Sequence, residues 1–195
     1  MKRRDALKNI GLTLGYTAVL PSAFSILQSC KTEIEVWVPQ FFTVDEGVVI
    51  QNLVDLILPT TKNSPGALDV NVPEFIDLYA FKVYDEEKAE KHRLGIQSII
   101  QELNIPETGV NDLKKEDYNT LLAKYLRAPK EEEQQYRQNK NITFEALEGL
   151  RGQSVWAYKT SKDIGENVLA YDPVPGVQKG CIDLNQATGG KAWSL

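Results

Sequence analysis

The chain has one histidine, two cysteines and one methionine in 195 residues. His92 lies in the charged run from Asp85 to Arg93, where the local sequence offers it no partner ligands. It reads as a solvated surface side chain. No C-x-x-C-H is present, which excludes covalent c-type haem. No G-x-G-x-x-G follows a strand pattern, and G-x-x-x-x-G-K-[ST] and G-x-S-x-G are both missing. Dinucleotide, P-loop and nucleophile-elbow chemistry therefore have no local motif. Sustained strand alternation and internal repeats are also missing. Carboxylates are plentiful, but pairs arise by chance among so many, and sequence spacing does not reveal a working pair. Catalysis by this chain alone is not expected.

The first thirty residues carry the clearest signal. Arg3 and Arg4 precede an uncharged, moderately apolar run that ends at Leu27-Gln28-Ser29-Cys30. An arginine pair ahead of such a run is an export signal rather than part of a fold. Arg3, Arg4, Leu7 and Lys8 resemble the twin-arginine pattern, which departs from the usual residues at Lys2 and Ala6. Gly11, Gly15 and Pro21 weaken the run as a membrane span, which wants roughly 20 predominantly apolar residues. An uncleaved anchor helix is the alternative. Leu27 and Ser29 ahead of Cys30 resemble a lipoprotein processing site and make Cys30 a lipidation candidate, although Gln28 is not the favoured small residue. The mature protein is then exported, periplasmic and held at a membrane by lipid.

Cleavage before Cys30 would remove four basic side chains and one acidic one. It would leave 18 basic and 26 acidic residues and a net charge of −8. Nucleic-acid binding, which wants a clustered basic face, is excluded by that balance. So is electrostatic docking to anionic lipid. With Cys30 lipidated, Cys181 is the odd cysteine, and two readings stand. It is an inter-subunit or other functional thiol, or it is a buried inert one.

Four segments follow from the patterning: the leader at 1–29, a tether at 30–42, a helical domain at 43–160 and an extended C-terminal arm at 161–195. Thr43 and Glu46 form a capping-box pattern, and apolar residues recur at helical spacing to Leu58 before Pro59 stops the helix. Pro73 opens a second helix whose apolar stripe is Phe75, Ile76, Tyr79, Ala80 and Val83. The charge run 85–93 reads as a solvated helix face with a Glu87–Lys91 pair, followed by apolar positions to Leu103. A further helix is expected over 113–126, then a polar stretch at 131–141 that is exposed or loosely helical. The last long helix spans 142–159 and holds Gly149 and Gly152, which close packing against a neighbour or a bend would explain. Phe41, Phe42, Phe75, Tyr79 and Trp156 read as core or interface packing. The fold class is mainly α: a single domain of about five helices and an irregular arm. In that arm Trp193 is costly to leave in water, and tryptophan is enriched at interface hot spots.

Ordered pieces of the chain resemble the gluconate 2-dehydrogenase subunit 3 family. They are Leu53-Val-Asp-Leu-Ile-Leu-Pro59-Thr60, Ser64-Pro65-Gly66-Ala67 and Val72-Pro-Glu-Phe75-Ile76-Asp77 in the first half. Leu150-Arg-Gly-Gln, Tyr158-Lys-Thr-Ser161, Leu169-Ala-Tyr171-Asp-Pro173-Val-Pro175-Gly176 and Gly180-Cys181 follow in the second. The resemblance implies a non-catalytic small subunit with no catalytic, cofactor-binding or metal residues of its own. It implies a partner of the glucose–methanol–choline oxidoreductase type that holds FAD and oxidises a sugar or sugar-derived alcohol, often with a cytochrome c subunit taking the electrons. It also implies that the small subunit supplies the twin-arginine signal and escorts its folded partner outward. Tyr171, Pro173, Pro175, Gly176, Cys181 and Trp193 are then the partner-binding candidates, with Cys181 placed for an inter-subunit disulfide. Cys30 need not be present in that family, and would replace an anchor gained elsewhere through a cytochrome. A stand-alone envelope lipoprotein acting as a binding module is the alternative.

Overall fold

The structure, a computed structural model, describes residues 37–106, 109–174, 176 and 180–194. The chain divides after Trp37, and the unit from Val38 onward is the one described below. Arg3, Arg4, Leu7, Lys8, Cys30 and Pro175 lie outside the described residues.

Five helices of twelve residues or more form the body. They are α1 (Val44–Ile57), α2 (Val72–Val83), α3 (Glu86–Leu103), α4 (Lys115–Leu126) and α6 (Ile142–Thr160). Two shorter ones, α5 (Lys130–Gln138) and α7 (Leu184–Thr188), complete the set among the described residues. The architecture is mainly α, as the patterning implied. Its helix ends follow local chemistry. Thr43 and Glu46 form the expected reciprocal cap on α1, Asp85 caps α3 through the Lys88 N–H, and Asn141 caps α6 through the Phe144 N–H.

Helix α6 is the hub and packs against α2, α3, α4 and α1. Its buried face, with Phe144, Leu147, Leu150 and Ala157, meets Val49, Ile50, Leu53 and Val54 of α1 and Ile96 and Ile99 of α3 in one core. Gly95 makes the α3–α6 contact possible, because a Cβ there would lie 2.9 Å from the Ala146 Cβ.

The loop after α1 is built by side chains rather than regular structure. Asp69 accepts hydrogen bonds from the Thr60 hydroxyl (2.6 Å) and the Gly66 N–H (2.7 Å). These bonds hold its carboxyl below the usual carboxylate range, the Thr60 bond most of all. A Cβ on Gly66 would come within 2.5 Å of the Thr60 nitrogen, so only glycine fits. The Tyr158 hydroxyl on α6 donates to the Pro65 carbonyl (2.7 Å) and bonds the Ser64 hydroxyl. The Ser64–Ala67 and Tyr158 segments quoted above are thus two halves of one loop-to-helix lock.

Two expectations change, and that for the polar stretch is sharpened. The helix expected from 113 begins at Lys115, because Val110–Asp112 form a 3-10 turn and leave Leu113 between the two. The polar stretch at 131–141 is a regular helix to Gln138 with no buried residue. Arg137, bonded to Glu148 (2.8 Å) and Glu133 (3.0 Å), ties it to α6, and Tyr136 packs beside Phe144. Lys91 pairs with Glu145 of α6 at 3.9 Å rather than with Glu87.

Candidate partner-binding surface

The arm begins where α6 ends. Ile164 turns into the core and opens a π-type turn, Ile164–Val168, closed by the Leu169 N–H on its carbonyl. Ala170 then pairs with the far end of the chain. Its N–H donates to the Ala192 carbonyl (2.8 Å) and its carbonyl accepts from the Ser194 N–H (2.9 Å). These bonds and the Ala170–Trp193 bridge bring the end of the arm back to its root. Within the loop so closed, Asp183 caps the five-residue α7.

Tyr171, Pro173, Gly176, Cys181 and Trp193 all stand exposed in this loop. Trp193 keeps 51% of its surface in solvent and Val174 82%. The Cys181 thiol is exposed, so the buried inert reading of that residue is dropped. A loop that is pinned at both ends but shows its apolar side chains outward is pre-organised to meet another surface.

A second apolar surface was not legible in the sequence. Helix α2 turns Val72, Pro73, Ile76 and Ala80 inward but leaves Phe75, Leu78, Phe81 and Val83 exposed. Phe75 and Val83, both of the expected apolar stripe, thus face out. Trp156 of α6, 41% exposed, contacts both Phe75 (centroids 5.2 Å apart) and Tyr79 (5.1 Å). The aromatic chain continues from Tyr79 to Tyr84 (5.8 Å) and from Tyr84 to His92 (5.5 Å), then to Phe41 and Phe42. Helix α2 is therefore apolar on both sides, a pattern that in a surface helix calls for a second partner.

His92 is a correction. It is half-buried in this aromatic row rather than solvated. Burial lowers its imidazole pKa, opposed by the nearby Glu46 carboxylate, and its Nε2 has no hydrogen-bond partner among the described residues. No group of three or more His, Cys, Asp or Glu side chains gathers to hold a metal among the described residues.

Two adjoining grooves run beside the row. One, of about 440 Å³, lies between α3 and α6 over His92, Leu94, Ile142 and Gly149. The other, of about 420 Å³, lies over Tyr79, Val83, Gly152 and Trp156. Tyr84, Lys88 and Gln153 line both. A larger cleft of about 540 Å³ lies between the end of α3 and α4. It is more polar, and the Lys124–Glu102 ion pair (2.7 Å) spans it.

Asp77 fixes the entry to the domain. Its buried carboxylate accepts from the backbone N–H groups of Gln40 (2.8 Å), Phe41 (2.9 Å) and Phe42 (3.0 Å). The signal available in sequence was its spacing: Asp77 falls on the same helical face as Pro73, Ile76 and Ala80.

No curated protein and no solved structure matches the chain. The sequence model of one family, described as gluconate 2-dehydrogenase subunit 3, matches residues 44–176.

Proposed function

The chain belongs to the gluconate 2-dehydrogenase subunit 3 family, and from that premise we propose that it is the non-catalytic accessory subunit of an exported, FAD-dependent dehydrogenase acting on the CH–OH group of a sugar or related alcohol. Membership of a multi-subunit complex implies a catalytic partner, and the family match over residues 44–176 is the observation that carries this reading. The flavin belongs to that partner, of the glucose–methanol–choline type. This chain contributes surface and address.

In this reading the pinned arm clasps the catalytic subunit. Tyr171 and Trp193 supply apolar area, Pro173 and Gly176 shape the loop, and the Cys181 thiol bridges to a partner cysteine. Exposed aromatic side chains of this kind act as anchors once desolvated in an interface. Arg3 and Arg4 direct export of both proteins as one folded complex, and lipid on Cys30 holds the complex at the membrane. A cytochrome c subunit receives the electrons.

The direct experiment is purification of tagged full-length chain from the membrane fraction of its native host, with flavin absorbance as readout. A stoichiometric flavoprotein is the expected result. Recovery of the chain without flavin would overturn the reading and leave a stand-alone envelope lipoprotein.

A further inference from the structure

Gly149 and Gly152 stand in the middle of α6, where glycine weakens a helix. Gly95 and Gly66 are explained by close neighbours within the chain. These two are not, because a Cβ at either position would meet nothing within 4 Å. Both are exposed, and each floors one of the two adjoining grooves.

Other observations point to an occupant. The groove walls carry exposed Leu94, Ile142 and Trp156, and the aromatic face of α2 extends them beyond Trp156. His92 Nε2 and Gln153 Oε1 are buried in the walls without hydrogen-bond partners among the described residues. Along one edge lie Lys88 and Lys91, both strongly exposed, Lys88 paired with Asp85 (3.3 Å) and Lys91 more loosely with Glu145 (3.9 Å), which also lines the groove.

Resting on the complex proposed above, we propose that this groove seats an α-helix of the catalytic subunit, apolar on the inserted face and carrying carboxylates on the edge that meets Lys88 and Lys91. The walls are themselves helices, whose interior backbone groups are already paired. An occupant must therefore satisfy its own backbone, which a helix does and an extended strand does not. The strip from Ile142 to Trp156 follows α6 for about 21 Å, roughly four turns of a matching helix. Absence of side chains at 149 and 152 lets that helix approach α6 closely, since interaxial distance follows the side chains at the contact. The lysine edge on an otherwise acidic chain selects the complementary charge.

The test separates this inference from the complex itself. Wild-type chain is purified with its flavoprotein, alongside Gly149→Ala/Gly152→Ala and Gly149→Leu/Gly152→Leu. Alanine should raise the melting temperature of the full-length chain alone by about 2–4 °C per site, because helix propensity improves and nothing clashes. With the Cys181 bridge reduced, the same alanine pair should speed dissociation of the flavoprotein by about tenfold, and the leucine pair should abolish its recovery. Flavoprotein recovery by the leucine pair equal to wild type, with unchanged dissociation, would overturn the groove while leaving the complex intact. Loss of a self-associated form of this chain in the leucine pair, with flavoprotein binding unaltered, would overturn it in favour of a second copy. Failure of wild-type chain to bring down any flavoprotein would overturn the complex, and the groove's occupant with it.

Discussion

At position 77 a carboxylate occupies a place where the helical spacing of α2 asks for an apolar side chain. Three backbone N–H groups from the entering segment surround it, and hydrogen bonds to a charged acceptor are the stronger kind. Asp77→Ala should lower stability by about 2–4 kcal/mol, read by urea unfolding, with new protease cleavage near Gln40. Asp77→Asn, which keeps one acceptor oxygen, should fall between. His92 supplies a pH dependence whose sign follows from its lowered pKa. The unfolded imidazole titrates near 6.5 and the folded one below that. As pH drops through that window the unfolded chain gains a proton that the folded chain resists. Stability is full above the unfolded imidazole's pKa and declines as pH falls below it. His92→Phe should flatten that decline in urea midpoints measured across the same range. Carboxylates held low by hydrogen bonds, Asp69 and Glu102, act at more acidic pH. Spacing placed Asp77 on the buried face of α2, but the partners of Asp77 and His92 were not legible from neighbours in sequence, because they arrive from other elements.

Among elements, the arm and α6 behave differently. The arm's composition announced an irregular segment in need of a surface. What composition does not reveal is that its end is pinned to Ala170 by two backbone bonds, a pairing across more than twenty residues. If the arm clasps a partner, limited proteolysis should cut the free chain within residues 171–192 and leave the complex intact there; equal cutting in both would sink that role. On non-reducing gels the native complex should show a shifted band that Cys181→Ser abolishes. Helix α5 shows the opposite limit. Nothing in Glu131–Glu133 marks a buried face, since no residue of the helix is fully buried and only Tyr136 packs against the core. The helix is held by its macrodipole-favourable acidic start and by Arg137 bridging to Glu148. Helix α2 looked like an ordinary amphipathic helix because periodicity reports that apolar residues share a face, not how many faces are apolar.

On the scale of the whole molecule, the proposed function joins a leader to a domain. Replacing Arg3 and Arg4 by Lys should retain both this chain and its flavoprotein in the cytoplasm, followed by fractionation and flavin absorbance. Cys30→Ser should move the complex from the membrane to the soluble fraction; continued membrane association would assign the anchor to another subunit. The mainly α class, the cap of α1, the stop at Pro59 and the long final helix were determined by the sequence alone. Each depends on residues within one or two turns: a capping oxygen, a proline without a donor, an apolar repeat near 3.6. Only the tertiary structure decided that Asp77 clasps the entry segment, that His92 sits among aromatics, that the arm returns to its root, and that Gly149 and Gly152 face open space. Those facts depend on which distant surfaces meet and which remain uncovered. Local spacing carries no record of that.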